Sequence, residues 1–116
     1  MSKTIFCDID GTLVYQVPFE EINPTTSMAL PGVVKKMNKW YNSGYYIVLT
    51  TARPEEYELI TKQEMMKLGI PYHQLVMGIG RSERVLINNK SVKNPTEKRA
   101  TAIEVEKNGG FNGIDI

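Results

Sequence analysis

The sequence of 116 residues has one cysteine, Cys7, so an intrachain disulfide is excluded and nothing points to an oxidising compartment. It also lacks an excess of one charge. Lys and Arg number 14 and Asp and Glu 13, a formal net charge of +1, which gives no overall field to gather nucleic acid or an anionic membrane. No apolar run is long enough to span a bilayer. The opening MSKTIF has no signal-peptide core, because Asp8 and Asp10 interrupt the apolar stretch. Asn23 and Asn94 each precede Pro-Thr, and that proline removes the glycosylation sequon. Internal repeats and low-complexity tracts are missing too. What remains, at 41% hydrophobic and 23% charged residues, is an ordinary globular composition with length for one core and not two. These exclusions set the expectation of one cytoplasmic domain over residues 1–116, with no membrane partner.

Hydrophobic periodicity lays out the elements. Thr4 to Ile9 (TIFCDI) reads as a strand buried on both faces, closed by the turn signal Asp10-Gly11-Thr12. Residues 13–30 contain Pro18, Asn23-Pro24 and Thr25-Thr26-Ser27; too long for a tight turn, they read as a flap or lid. A helix follows from Gly32 to Ser43, with Val33, Val34, Met37, Trp40 and Tyr41 on one face and Gly44 as its stop. Tyr45 to Thr50 is the second strand. Pro54, Glu55 and Glu56 start a second helix, and Lys67 and Gly69 end it. Gln74 to Met77 and Arg84 to Ile87 read as third and fourth strands, and Thr101 to Val105 as a fifth in preference to a short helix. The alternation predicts an α/β domain around a mostly parallel sheet of about five strands. One connection strains it: Gly78 to Glu83 is short for a parallel crossover, which needs about a dozen residues.

In open α/β sheets ligands bind beyond the carboxyl ends of the strands. Asp8 and Asp10 close the first strand, Thr51-Ala52-Arg53 follows the second, and Asn88-Asn89 follows the fourth. Side chains two apart on a strand share a face, so both aspartates can address one pocket. Paired carboxylates repel unless a proton or cation relieves them, and Mg²⁺ accepts such oxygen ligands together with substrate phosphate. Spacing alone leaves a second reading open, in which one aspartate merely caps the turn at Gly11.

Three segments carry a family resemblance. FCDIDGTL (Phe6 to Leu13) resembles the first motif of the haloacid dehalogenase (HAD) superfamily, IVLTTARP (Ile47 to Pro54) its second, and RVLINNK (Arg84 to Lys90) sits where its fourth belongs. The resemblance implies a Rossmann-like three-layer domain without a cap and a Mg²⁺-dependent phosphohydrolase working through an aspartyl-phosphate. Asp8 would be the nucleophile and Asp10 the general acid, then base. Thr51 and Ala52 would bind the phosphoryl group, helped by the positive end of the helix that starts at Pro54. Asp8, Asp10 through its main-chain carbonyl, and Asn89 would hold the metal.

Two departures from the motifs stand out. Asn88 and Asn89 replace the usual acidic pair; an amide oxygen can coordinate Mg²⁺ but brings no charge. The alternative is therefore a weakened or inactive phosphate- or metal-binding module. For the phosphate-binding lysine of the third motif, Arg81 is the first choice, with Lys67 and Lys90 as rivals.

The expected substrate is a small phosphorylated metabolite. A nucleic-acid end is the second choice, since residues 51–55 and 70–77 look similar to the phosphatase half of polynucleotide kinase-phosphatases and Lys90, Lys93, Lys98 and Arg99 cluster nearby. A capless site is open, which makes a homo-oligomer a reasonable expectation. His73 reads as a loop histidine and Cys7 as strand packing. Tyr15 and Phe19 are flap aromatics, placed either to close on substrate or to make a local apolar contact.

Overall fold

TIFCD and YIVLT are short runs rich in β-branched and aromatic side chains, and they pair in parallel along their whole length. A computed structural model describes residues 3–116. Its order is β1 (Thr4–Asp8), α1 (Val33–Asn42), β2 (Tyr46–Thr50), α2 (Glu58–Leu68) and β3 (Gln74–Val76). The sheet order is β1-β2-β3, with Asp8 beside Thr50 and Thr50 beside Val76. Parallel pairing thus brings the carboxyl ends of all three strands to one edge. β2 is central, and its Ile47, Val48 and Leu49 are buried.

α1 buries Val33, Met37 and Trp40 at helical spacing, close to the face expected, although Tyr41 is exposed. α2 is shorter than its sequence signals. Pro54 precedes a 3₁₀ turn over Glu55–Tyr57, and regular α-helix begins only at Glu58. Gly69 ends it in the left-handed conformation. The inward residues of α2 are Thr61, Glu64 and Met65, so part of its buried stripe is polar.

The arms of residues 13–30 meet at Val14 and Ala29, which form an antiparallel bridge, while Leu13, Val14, Ile22 and Leu30 are buried beneath. The chain's last ten residues return to this base. Phe111 packs on Trp40 with ring centroids 5.7 Å apart and donates its amide to the Pro31 carbonyl at 2.8 Å. The Asn108 amide donates to the Gly11 carbonyl at 2.8 Å, and its side-chain oxygen accepts from the Gln16 amide at 3.0 Å. Gly110 has φ +83°, and a Cβ there would lie 2.3 Å from the Pro31 oxygen, so the position requires glycine.

The five-strand expectation is corrected to three strands among the described residues. Neither Arg84–Ile87 nor Thr101–Val105 forms a strand. A run of three apolar residues becomes a strand only when a neighbour supplies hydrogen bonds and cover, and Val85, Leu86 and Ile87 are exposed, Ile87 by 89%. The short Gly78–Glu83 link then has no crossover to make. His73, as expected, lies in the loop before β3, but it has a structural task. Its Nδ1 accepts from the Ile47 amide at 3.0 Å, and its ring stacks on Tyr41 and Tyr46.

Candidate active site

β1 ends at Asp8, and the chain then coils tightly: the amides of Thr12, Leu13 and Val14 all point to the Ile9 carbonyl, at 3.1, 2.8 and 3.3 Å. Gly11, at φ +77°, permits the turn. The coil returns Thr12 to Asp8, where its hydroxyl donates to Oδ2 at 3.1 Å. Asp8 is partly open, its side chain 42% exposed, with the Arg84 guanidinium 3.9 Å from Oδ1. Partial burial raises the Asp8 pKa above the ordinary carboxylate value, against the lowering effect of the Thr12 and Ile9 hydrogen bonds and of Arg84. Cys7, buried next to it, has its thiol pushed up to about 12 by burial and by the Asp8 charge, so it remains a packing residue.

Asp10 lies beside a wholly buried cation. Arg53, in the turn after β2, has no exposed side-chain surface. Its Nη2 donates to Asp10 Oδ1 at 2.8 Å and its Nε to Oδ2 at 3.0 Å, a bidentate fork on one carboxylate. On its other side Nη1 donates to Thr61 Oγ1 at 2.9 Å and to Glu64 Oε1 at 2.8 Å. The free oxygen of Glu64 accepts from the Ser27 hydroxyl, and Lys67 donates to the Thr25 carbonyl, so two bonds tie the flap to α2. Burial works against the charge on Arg53, but Asp10 and Glu64 outweigh it and the guanidinium pKa is raised. This network explains the polar inner stripe of α2: Thr61 and Glu64 face inward because they complete the coordination of an arginine that cannot be left unpaired.

Thr51 is also buried. Its hydroxyl accepts from the Arg53 amide at 3.0 Å and its own amide donates to the Val76 carbonyl at 3.0 Å, which fixes the turn that delivers Arg53. Ala52, between them, is partly exposed. Of the basic side chains considered for phosphate, Arg81 lies over the Phe19 ring, 4.7 Å from its centroid, Lys67 is engaged with the flap and Lys90 is exposed. The guanidinium beside Asp8 is that of Arg84. Asn88 donates to the Arg99 carbonyl at 2.9 Å, and Asn89 is exposed in the same segment. The structure therefore gathers Asp8, Asp10, Thr12, Thr51, Arg53 and Arg84 at one edge and shows no contact between them and Asn89.

Sequence reasoning gave no role to Thr12, Arg53, Thr61, Glu64, Ser27 or Arg84. One signal for the network was present. Thr61 and Glu64 are spaced i, i+3 on the stripe shared by Met65 and Leu68, and polar residues on a buried stripe imply a buried polar partner.

No protein-family model and no curated protein matches this chain. Among solved structures it resembles a chain of the Pnkp1/Rnl/Hen1 RNA repair complex, with a TM-score of 0.58 and 23% identity over 72% of this chain and 27% of that one. It also resembles the D,D-heptose 1,7-bisphosphate phosphatase of B. bronchiseptica, solved with magnesium and phosphate (TM-score 0.53, 18% identity, 70% of this chain and 52% of that one). At these identities the likeness shows a shared fold. A third match, a protein from Vibrio cholerae, has a TM-score of 0.55 at 17% identity and covers 81% of this chain and 85% of that one. The chain spans less than a third of the length of the RNA repair protein it matches. Among the described residues no helix is long and apolar enough to cross a membrane.

Proposed function

We propose that this HAD-like chain is a phosphohydrolase whose nucleophile is Asp8. The observation that carries the reading is the pairing of a half-open carboxylate, steadied by Thr12 and faced by Arg84, with a neighbouring carboxylate locked by a buried arginine. In the first step an Asp8 oxygen forms a bond to phosphorus, the bond from phosphorus to the ester oxygen breaks, and that oxygen takes a proton. In the second, water attacks the aspartyl-phosphate, gives up a proton, and Asp8 leaves as a carboxylate. Asp10 stands ready for this second step through Oδ2, which accepts from Arg53 Nε alone, whereas Oδ1 accepts from both Nη2 and Nε. In the first step the same side chain would supply the proton that the leaving oxygen takes. Thr51 and Ala52 line the phosphoryl position in this reading.

For Mg²⁺ the carboxylate donors reduce to Asp8, because Asp10 is committed through its side chain to Arg53 and offers the metal only its main-chain carbonyl. Among the described residues no group of three or more His, Cys, Asp or Glu side chains is placed to hold a metal ion. One carboxylate, one carbonyl and a substrate phosphate fit a weakly held Mg²⁺ that loads together with its substrate. When bound, it would neutralise charge on the phosphoryl oxygens. Asn89 as a further ligand requires its exposed segment to move toward Asp8. That Asn88 and Asn89 lie apart from the carboxylates favours the second reading, a phosphate-binding module that no longer turns over.

Hydrolysis of an aryl phosphate with and without Mg²⁺ separates the two readings, comparing the native chain with Asp8→Asn and Asn89→Asp. Metal-dependent turnover lost in Asp8→Asn supports the enzyme. Turnover only in Asn89→Asp supports the binding module. A cytoplasmic location, a small phosphorylated metabolite as substrate, and a second copy covering the open site belong to the same proposal; sedimentation of the pure chain checks the last.

A further inference from the structure

An open groove of about 450 Å³ runs beneath the flap, and its wall joins flap residues to two cations from distant parts of the chain, Arg81 and Lys107. Phe19 forms part of the wall, and the Arg81 guanidinium lies over its ring, 4.7 Å from the centroid. Lys107 runs across the turn of the first motif so closely that a Cβ on Gly11 would lie 3.3 Å from its Cγ. The groove therefore begins beside the turn between Asp10 and Thr12. Three residues after Arg81, Arg84 reaches Asp8. The segment Arg81–Arg84 thus links the groove to the nucleophile, with one cation directed at each.

The charges in the groove are unmatched. Like most Lys and Arg of the chain, neither Arg81 nor Lys107 lies within 4.0 Å of a carboxylate among the described residues; what sets them apart is that both line one groove. Glu20 is the single acid of the lining. Two cations brought to one wall repel each other unless an anion comes between them. We propose that the groove is a second-anion subsite. It takes a phosphate or phosphodiester that the substrate carries beyond the phosphoryl group presented to Asp8. This inference rests on the phosphohydrolase reading, and it moves Arg81 from the transferred phosphoryl group to the distal one. A small bisphosphate and the strand of a nucleic-acid end both present that chemistry.

The test compares kcat/KM at low salt for a sugar bisphosphate, a short 3′-phosphorylated oligonucleotide and an aryl phosphate, which has no second anion. In Arg81→Ala and Lys107→Ala the preference for a doubly anionic substrate over the aryl phosphate should fall about fivefold each, the effect of one exposed charge pair near the top of its usual range. Glu20→Gln should raise that preference, a gain that misfolding cannot imitate. Loss confined to the oligonucleotide, with a steep salt dependence, assigns the subsite to a nucleic-acid strand; loss confined to the bisphosphate assigns it to a metabolite. An unchanged preference in all three variants overturns the proposal. If the native chain hydrolyses none of the three, the phosphohydrolase reading fails separately. The subsite is then decided by titrating propane bisphosphonate against methyl phosphonate. Tighter binding of the bisphosphonate that depends on Arg81 and Lys107 upholds it, and equal binding sinks it.

Discussion

Residues 3–79 and residues 80–106 meet at the same sheet edge but are held in different ways. In the first region the buried polar groups have partners. Arg53 joins Asp10, Thr61 and Glu64, Thr51 fixes the turn before it, and among the described residues no buried side-chain nitrogen or oxygen lacks a hydrogen bond. In the second the apolar side chains Val85, Leu86, Ile87 and Val92 lie on the surface, and the side-chain hydrogen bonds stay within the segment, such as Arg84 to the Ser82 carbonyl and Asn88 to the Arg99 carbonyl. Geometry is imposed where desolvated groups can be satisfied in only one arrangement. The half of the site built from the first two motifs meets that condition. The half expected from the fourth does not, and Arg84 near Asp8 is the contact between them.

The sharpest way to break the contrast is Arg53→Met. The substitution keeps the bulk of the stem but leaves Asp10 and Glu64 as two buried carboxylates facing an apolar group. Loss of one partner from a buried ion pair costs about 3–5 kcal/mol. Urea unfolding should show a loss of that size, along with loss of turnover. A change under about 1 kcal/mol, within the range of surface ion pairs, would mean that the network is open to water.

Gly110→Ala comes next. It tests whether the C-terminal segment is part of the first region's framework or only lies against it. The position combines φ +83° with a Cβ 2.3 Å from backbone, and the strained conformation alone costs about 1–3 kcal/mol. Destabilisation in that range is expected. Because Asn108 braces Gly11 two residues earlier, the acidity of Asp8 should shift as well. A neutral outcome would show that the segment is free to move away.

How far the sequence revealed this arrangement follows from the same physics. β1, α1, β2 and β3 were legible to within a residue or so, because each is a periodic or β-rich run bounded by clear stops. Asp8, Asp10 and Thr51 were legible as strand-end residues. Arg53 was visible in the second motif but its partner Glu64 was not, since a glutamate on a helix ordinarily reads as a solvated charge. Phe111 escaped because a lone aromatic among glycines and asparagines has no periodicity, and only the fold shows that it meets Trp40. Arg84–Ile87 was misread as a strand for the opposite reason. Its local pattern is strand-like, but pairing is a non-local condition that the run does not satisfy.

The third test probes Asp8 through pH. Its pKa lies above the ordinary value, chiefly from burial, so the folded chain binds this proton more tightly than the unfolded chain. The associated stability is fully present below the unfolded pKa and is lost as pH rises through the folded one. At neutral pH the ionised group opposes folding, by a small amount because the side chain is partly solvated. Asp8→Asn should therefore raise the melting temperature slightly at pH 7, bring no gain at pH 3, and abolish turnover. Thr12→Val removes the hydroxyl that favours the carboxylate, so the acid limb of the kcat/KM profile should move to higher pH. A limb that stays in place would show that it does not report ionisation of the Asp8 nucleophile.

The smallest expected effect is the most informative about residues 80–106. Ile87 is 89% exposed, so Ile87→Ser removes almost no buried area and should change the unfolding free energy by less than about 0.5 kcal/mol. Ile47→Ser in the core of β2 supplies the contrast. That residue has no exposed surface, and the change combines a cavity with an unpaired hydroxyl, which together cost several kcal/mol, on the order of 3. If the two substitutions differ as stated, the apolar run at 85–87 contributes nothing to the fold of this chain and Asn88-Asn89 are carried on a segment without an anchor. If Ile87→Ser instead costs as much as a core change, the run is covered in solution. Both edges of the sheet, β1 and β3, lack a further strand among the described residues, and the β1 edge, next to Asp8, is one place where that cover could form. Covering it there would bring Asn89 toward Asp8, so the same substitution should then weaken any Mg²⁺ dependence of turnover, whereas an anchor-free segment predicts no change.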